Sequence, residues 1–196
     1  TDKARRTEDR RGVTKSGGSF EQPQSAEAHP DAVALREAVG KGVGEVRFHR
    51  GQASVEVAPF SLLDAAKFLR DRRGFKMLSM IAGVDCLDLP VPYRFKVTYS
   101  LLDPGRAERL RLEVPCDDNL EPRLPSLCGI WPAAEQQENE AYDMVGVVFD
   151  GHPNIERILT PEGFEGFPHR KDFSFSAEPV EFTFRETPPG KPEARE

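Results

Sequence analysis

The stretch at residues 131–173 constrains the fold more than any other part of the chain. Its first third has the boundaries of a helix, because Pro132 suits a first helical position and Gly146 suits a helix stop. Four acids and no base lie between them: Glu135, Glu138, Glu140 and Asp143. Like charges three residues apart repel on a helix surface, and an acid near the C-terminal end opposes the helix dipole. We therefore expect this helix to need positive partners from elsewhere.

The remainder of the stretch, residues 147–173, matches neither a helix nor a sheet pattern. Prolines and glycines interrupt it repeatedly, at Pro153, Pro161, Pro168, Gly151, Gly163 and Gly166. It nevertheless carries more apolar side chains than a disordered linker would: Val147, Val148, Phe149, Ile155, Ile158, Leu159, Phe164, Phe167 and Phe173. We expect this irregular segment to pack against its own domain or against another protein.

Three consecutive motifs in this stretch carry a family resemblance. They are Glu138-x-Glu140-Ala141-Tyr142-Asp143-Met144-x-Gly146-Val147, then Gly151-His152-Pro153-Asn154-Ile155-x-Arg157-Ile158-Leu159-Thr160, then Gly163-Phe164-Glu165-Gly166-x-Pro168-x-Arg170-Lys171-Asp172-Phe173. In this order and spacing they resemble the signature of the 30-kDa subunit of NADH:quinone oxidoreductase, respiratory complex I. The run at residues 124–127 and Ile130-Trp131 is also similar, whereas residues 30–120 resemble the family in the order of elements only.

The chain departs from the family pattern at a few motif positions. The family usually has Arg at Asn139, an aromatic residue at Val145 and a base at Glu156, and it usually has His and Leu where Phe167 and His169 stand. These departures concern the particular complex and its partners rather than the family.

The resemblance implies a non-catalytic structural subunit in the hydrophilic arm of a proton-pumping NADH:quinone oxidoreductase. Such a subunit holds the quinone-reducing module together for electron transfer from NADH to quinone. Its expected partners are the quinone-pocket (49-kDa) subunit and neighbouring iron–sulfur subunits, with no nucleic acid. The expected location is the cytoplasmic face of the bacterial inner membrane, peripheral through the complex, or the matrix side in an organelle.

The resemblance also implies what this chain itself carries. It implies no cofactor, metal or catalytic residue here, since iron–sulfur clusters, FMN and quinone are expected in partner subunits. The residues that match the motif are predicted to pin the extended segment to its domain and to a partner: Glu138, Glu140, Tyr142, Asp143, Gly146, His152, Pro153, Arg157, Arg170, Lys171 and Asp172. We further predict that the acidic helix is electrostatically coupled to Arg170 and Lys171, within the chain or across an interface.

The order of patterns along the chain predicts an α+β domain. A helix is expected from an N-cap at Asp31 to about Gly40, then two alternating strands around an Arg50-Gly51 turn. A second helix, opened by a capping box of Ser61 and Asp64, precedes three strands and the acidic helix. This order favours an antiparallel-rich sheet with helices on one face, followed by a long extended C-terminal segment.

The predicted organisation has three parts. Residues 1–29 are expected to be a disordered or partner-bound arm, residues 30–146 the α+β domain, and residues 147–196 an extended interface segment and tail. The arm carries six bases and three acids between Asp2 and Lys15, a composition typical of a solvated segment.

Composition excludes several classes of function. The 196 residues carry a net charge of −6, which argues against general binding to nucleic acid or anionic membranes. No apolar run approaches the roughly 20 residues of a membrane span. Cys86, Cys116 and Cys128 are too widely spaced for a zinc or iron–sulfur motif, and an odd number of thiols suits a reducing compartment.

Three alternatives to a complex I subunit remain open from the sequence. One is an equivalent subunit of a related membrane-bound hydrogenase, or of a dehydrogenase that uses ferredoxin or another donor. Another is a general adaptor in a non-respiratory assembly. The third is a free-standing metal-dependent hydrolase, with His152 and His169 among nearby aspartates as ligands. The spacing of these histidines matches no metal motif, and the tripeptide Gly151-His152-Pro153 is typical of a turn.

Overall fold

The computed structural model describes residues 29–174, so the predicted arm, except His29, and the tail beyond residue 174 lie outside the described residues. The elements in chain order are α1 (Pro30–Val39), β1 (Val43–His49), β2 (Gln52–Val57), α2 (Leu62–Arg72), β3 (Met77–Asp85), β4 (Phe95–Asp103), β5 (Glu108–Pro115), β6 (Arg123–Pro125), α3 (Ala134–Val145) and β7 (Val148–Asp150). Single 3₁₀ turns at Gly40–Gly42 and Pro59–Ser61 follow α1 and precede α2. No helix within residues 29–174 is long and apolar enough to cross a bilayer.

Five strands form one mixed sheet in the order β1-β2-β5-β4-β3. The pair β2–β5 is parallel and the other three pairs are antiparallel. The predicted turn between the first two strands is present, with positive φ at both Arg50 (51°) and Gly51 (78°), as a tight hairpin requires. The expectation of a mostly antiparallel α+β sheet is therefore confirmed.

The alternation of each strand decides which face of the sheet is buried. Apolar side chains of β4 stand directly opposite apolar side chains of β5, in the pairs Val97–Val114, Tyr99–Leu112 and Leu101–Leu110. Helices cover this face: Leu35 of α1, Leu69 of α2 and Val145 of α3 belong to the same core. The opposite face is polar and carries ion pairs such as Lys96–Glu113, at 2.8 Å.

The predicted helix caps are wrong at both N-termini. The helix α1 begins at Pro30, so Asp31 lies inside its first turn, fully buried. Its carboxylate instead accepts from Arg73 Nε at 2.6 Å and from Arg106 Nη1 at 3.1 Å. Ser61 makes no side-chain cap because the preceding 3₁₀ turn leaves its backbone in the helical region rather than the extended one that a cap needs.

The chain returns to the domain directly after α3. Residues Val148–Asp150 form β7, parallel to β6 with Phe149 opposite Leu124, so the prediction that residues 147–173 contain no strand is wrong here. Val147 and Phe149 are 0% and 2% exposed and belong to the core. A strand of three residues is too short for its alternation to be recognised in the sequence. The boundary at residue 147 stays a prediction.

Phe149→Ala tests whether this part of the segment belongs to the domain core. We expect a loss of about 3–5 kcal/mol in the free energy of unfolding, because a buried aromatic side chain is removed and a cavity remains. Urea unfolding of the purified chain measures it. The control Leu120→Ala, at a side chain 79% exposed, should change stability by less than about 0.5 kcal/mol. Equal stability of the two variants would contradict this assignment.

Candidate functional site

The helix α3 ends in a conformation that only glycine adopts easily. Gly146 has φ 84° and donates its N–H to Tyr142 O at 2.8 Å. A Cβ atom at this position would lie 2.6 Å from Arg170 Nη2 and 2.7 Å from the Phe167 ring. Glycine is thus needed at position 146 for two reasons: the turn that ends the helix has a positive φ, and the irregular segment approaches too closely for a side chain.

Asp143, near the end of α3, is a fully buried carboxylate that organises residues 157–160. Oδ2 accepts three successive backbone N–H groups, from Ile158 (3.0 Å), Leu159 (2.7 Å) and Thr160 (2.9 Å). Oδ1 accepts from Thr160 Oγ1 and, at 3.0 Å, from Arg157 Nη1. Burial alone would raise the pKa of Asp143, but the hydrogen bonds from Thr160 and Leu159 and the guanidinium outweigh it and lower the pKa to about 2.

Glu138, one and a half turns earlier, is a second buried carboxylate with a different partner segment. It accepts from Ser126 Oγ and from the Leu127 N–H, both at 2.7 Å, and contacts Cys128 Sγ at 3.5 Å. Burial raises the pKa of Glu138, and the hydrogen bonds from Ser126 and Leu127 only partly oppose it. It holds the loop before α3, as Asp143 holds the loop after β7.

Two arginines of the irregular segment, Arg157 and Arg170, stack on aromatic rings. Arg170 lies 4.8 Å from the Phe95 ring and 4.3 Å from the Phe167 ring, and its Nε donates to Val145 O at 2.7 Å. Arg157 lies 5.1 Å from the same Phe167 ring and donates from Nη2 to Gly166 O at 2.9 Å. Burial and the nearby Arg94 lower the pKa of Arg170. Cation–π contacts, the helix-end carbonyl and the nearby carboxylates of Asp172 and Asp85 stabilise its charge.

The end of the segment is attached to the sheet through β3. The buried Asp85 carboxylate accepts the Lys171 N–H at 2.9 Å and pairs with Arg94 at 3.2 Å. Arg94 also pairs with Asp172 at 2.8 Å. The Lys171 side chain itself is exposed, so its backbone rather than its charge makes the attachment.

His152 holds the turn after β7 against α3. Its Nδ1 accepts the Asn154 N–H at 3.1 Å, so Nε2 carries the proton and donates to Glu135 O at 2.9 Å. Ligand atoms of Cys128, Glu138 and His152 lie within 4.8 Å of one another, yet both imidazole nitrogens are already engaged and the carboxylate already accepts its hydrogen bonds. The donor set therefore fits a hydrogen-bonded junction, and the metal-dependent hydrolase gains no support from it.

The structure brings most of the predicted site residues together and separates a few. Glu138, Tyr142, Asp143 and Gly146 face the core or the segment, with Tyr142 edge-on to Phe167 at 6.3 Å between ring centroids. Glu140 and Pro153 are exposed instead.

The basic partner of the acidic helix is also different from the predicted one. Arg157 pairs with Asp143, and within residues 29–174 neither Arg170 nor Lys171 forms an ion pair with Glu140. Arg170 instead contacts this helix through its end carbonyl, Val145 O, and its predicted coupling to the acids of the helix, within the chain or across an interface, stays a prediction. The sequence shows the sign of each charged side chain but not which group that side chain contacts.

Several residues of the site were missed from the sequence. Ser126 could have been recognised as a site residue, because it lies in the run at residues 124–127 that is similar to the family. No sequence signal pointed to Asp85, Arg94 and Phe95, because they lie far along the chain from the segment that they contact. Lys171, for example, is 86 residues from Asp85.

The fold and site together define a class of protein in which the polar groups join an extended segment to an α+β domain. The model of the family described as respiratory-chain NADH dehydrogenase, 30 Kd subunit, matches residues 55–179. The C subunit of NADH-quinone oxidoreductase from Roseiflexus sp. (strain RS-1) is 42% identical over 161 residues, which cover 81% of this chain and 85% of that protein. The same-named protein of Salinispora arenicola (strain CNS-205) is 37% identical, and the matched region covers 88% of this chain and 69% of that protein.

A solved structure shares the fold. A chain of the membrane-bound sulfane sulfur reductase, an archaeal respiratory membrane complex, superposes with a TM-score of 0.63 and 23% identity, covering 74% of this chain and 84% of that one. At this identity the likeness concerns the fold alone. With the family model and the relatives, this chain belongs to the family of the 30-kDa subunit of respiratory-chain NADH dehydrogenase, as the motifs indicated.

Asp143→Asn should destabilise the chain by about 3–5 kcal/mol at neutral pH, because the guanidinium of Arg157 is then left without its negatively charged partner. The lowered pKa of Asp143 gives the pH dependence its sign: the carboxylate stabilises the fold above about pH 4, and this stabilisation is lost as pH falls towards 2. Urea unfolding from pH 7 to pH 3 should therefore show the difference between wild type and variant narrowing below pH 4. The exposed Asp150→Asn is the control, and a difference independent of pH would contradict the assigned role.

Gly146→Ala should cost more stability than Gly151→Ala. Both glycines have positive φ, 84° and 87°, so each alanine incurs backbone strain of about 1–2 kcal/mol. Only at Gly146 does the added methyl also meet the Arg170 and Phe167 side chains, since nothing lies within 4 Å of a Cβ at Gly151. Thermal unfolding of the two variants compares them directly, and equal losses would mean that the close approach is absent.

Proposed function

We propose that this chain is a non-catalytic subunit of a proton-pumping NADH:quinone oxidoreductase. Its role is to hold the quinone-reducing module together in the hydrophilic arm, so that electrons pass from NADH to quinone. The observation that carries this proposal is that the charged groups of the site bind other parts of the same chain. The buried carboxylates of Glu138 and Asp143 accept hydrogen bonds from the chain's own loops: Glu138 fixes the loop before α3, and Asp143 fixes the irregular segment.

The chemistry of the site supports a structural rather than a catalytic role. A general base needs an accessible lone pair, and a nucleophile needs an activating base beside it. Asp143 is buried with its lone pairs engaged, and burial raises the pKa of Cys128 and so disfavours its thiolate form. Asp143 is therefore committed to the fold, and Cys128 is a poor nucleophile.

The relatives support the particular complex. Relatives at 42% and 37% identity are named as the C subunit of NADH-quinone oxidoreductase, whereas the sulfane sulfur reductase chain shares only 23% identity. This difference favours NADH:quinone oxidoreductase over a hydrogenase or another related dehydrogenase. The proposed neighbours are the quinone-pocket subunit and adjacent iron–sulfur subunits, which hold the FMN, iron–sulfur clusters and quinone. The proposed location is the cytoplasmic face of the bacterial inner membrane, peripheral through these partners.

Native purification through an affinity tag on this chain tests the proposal. The expected result is co-purification of NADH:quinone oxidoreductase subunits with FMN and iron in the assembly. Recovery of the chain without any such subunit would overturn the proposal.

The non-catalytic role has a separate measurement. In cells that carry only Asp143→Asn, we expect less assembled complex but unchanged NADH:quinone turnover per assembled complex. The exposed Glu37→Gln on α1 is the control for both quantities. Normal assembly with a reduced turnover per complex would instead assign a catalytic part to this chain.

A further inference from the structure

Two apolar side chains project from the loop that Asp143 holds. Ile158 is 43% exposed and Leu159 is 62% exposed, although they belong to the motif that runs from Arg157 to Thr160. Their backbone N–H groups both donate to the buried Asp143 Oδ2, at 3.0 and 2.7 Å. The loop is therefore fixed from beneath while its two largest apolar side chains face outward.

The surroundings of this pair are acidic. A groove of about 670 Å³ runs between α3 and Ile158, with Glu135 and Glu156 among its lining residues. Five exposed acids of α3 and the following loop form no ion pair within residues 29–174: Glu135, Glu140, Glu156, Glu162 and Glu165. Arg157, which lies beside Glu156 in the chain, is paired with Asp143. The groove is thus bordered by uncompensated negative charge.

We propose that Ile158 and Leu159 are the apolar centre, and Glu135 and Glu156 the acidic rim, of a docking surface for another protein subunit. The partner surface has the complementary chemistry, an apolar pocket bordered by lysine or arginine. This inference rests on the proposed function and deepens it by naming the surface that engages a partner and the character of that partner.

The physical argument is one of preorganisation. Binding normally costs free energy to immobilise loops and side chains, and a loop fixed in advance avoids most of that cost. Interfaces concentrate their energy in a few apolar anchors with a polar rim around them. Charge on the rim then selects the partner and speeds association.

The same charges argue for one class of partner. An acidic rim repels nucleic acid and anionic lipid headgroups, so neither fits this groove. The motif charges of Glu138, Asp143 and Arg170 cannot serve as the contact, because they are satisfied inside the chain. Within the motif from Arg157 to Thr160, the exposed side chains available to a partner are those of Ile158 and Leu159.

Substitution of the apolar centre is the first test, measured on native complex purified through the tagged full chain. Leu159→Ser should lower recovery of NADH:quinone oxidoreductase subunits at least about tenfold. Its melting temperature should stay within about 2 °C of wild type, because the backbone contacts to Asp143 remain. The matched control is Leu120→Ser, at a side chain 79% exposed on a different loop. Equal recovery by Leu159→Ser and wild type would overturn the inference, as would an equal loss in Leu120→Ser.

Substitution of the rim is the second test. The double variant Glu135→Gln with Glu156→Gln should weaken assembly and reduce its dependence on salt concentration, since screening has less charge to act on. The control is a double variant at exposed acids on α1 and α2, Glu37→Gln with Asp64→Asn. An unchanged salt dependence in the rim variant would contradict the predicted basic partner.

A photo-reactive amino acid at position 159 identifies the contact. The expected cross-linked peptide comes from another subunit of the complex and contains apolar residues flanked by Lys or Arg. A cross-link to an acidic peptide, or to this same chain, would overturn the inference. Failure of wild type to recover any respiratory subunit overturns the proposed function as well, whereas normal recovery by Leu159→Ser overturns the inference alone.

Discussion

The structure after α3 depends on one interaction, the buried Asp143 carboxylate. Three successive backbone N–H groups, a threonine hydroxyl and the Arg157 guanidinium converge on its two oxygens. A loop without regular structure has unpaired backbone donors, and burying them is costly unless acceptors are supplied. Asp143 supplies them for residues 158–160, and Arg157 compensates the buried charge. A single side chain thus replaces the ladder of hydrogen bonds that a strand would have provided.

The other contacts of the segment follow the same logic at successive points of the domain. Glu138 serves the loop before α3, Asp85 serves Lys171 at the segment's end, and the Phe167 ring lies against the arginines of the segment. Asp85 and Asp143 each join a part of the irregular segment to a regular element, whereas Glu138 joins the loop before α3 to that helix. Within residues 147–173, the backbone N–H groups of Ile158, Leu159, Thr160 and Lys171 are thus satisfied by carboxylates of the domain.

This inward use of charge has a consequence for function. A chain whose motif carboxylates and guanidinium groups bind one another has few of them left for substrates or metals. What it presents outward is shape: a fixed loop with apolar side chains and an acidic border. That division, with charges inside for architecture and an apolar surface outside, is the physical basis of the structural role that we propose.

The sequence by itself determined the local features of this protein. The hairpin at Arg50-Gly51, the alternating strands and the helix stop at Gly146 were all predictable, because each depends on residues within a few positions. The family motif likewise indicated polar residues that meet in the structure, such as Asp143 and Arg157, but it also included the exposed Glu140 and did not show what each residue contacts.

Tertiary structure alone decided the partners of the charges and the caps. Asp31 has the sequence position of a helix cap, yet it binds Arg73 and Arg106, which arrive from 42 and 75 residues away. Arg157 rather than Arg170 pairs with Asp143, because Arg170 is drawn between aromatic rings and a helix-end carbonyl. Local preferences amount to about 1 kcal/mol, whereas an unpaired buried charge costs several, so long-range pairing prevails wherever the two compete.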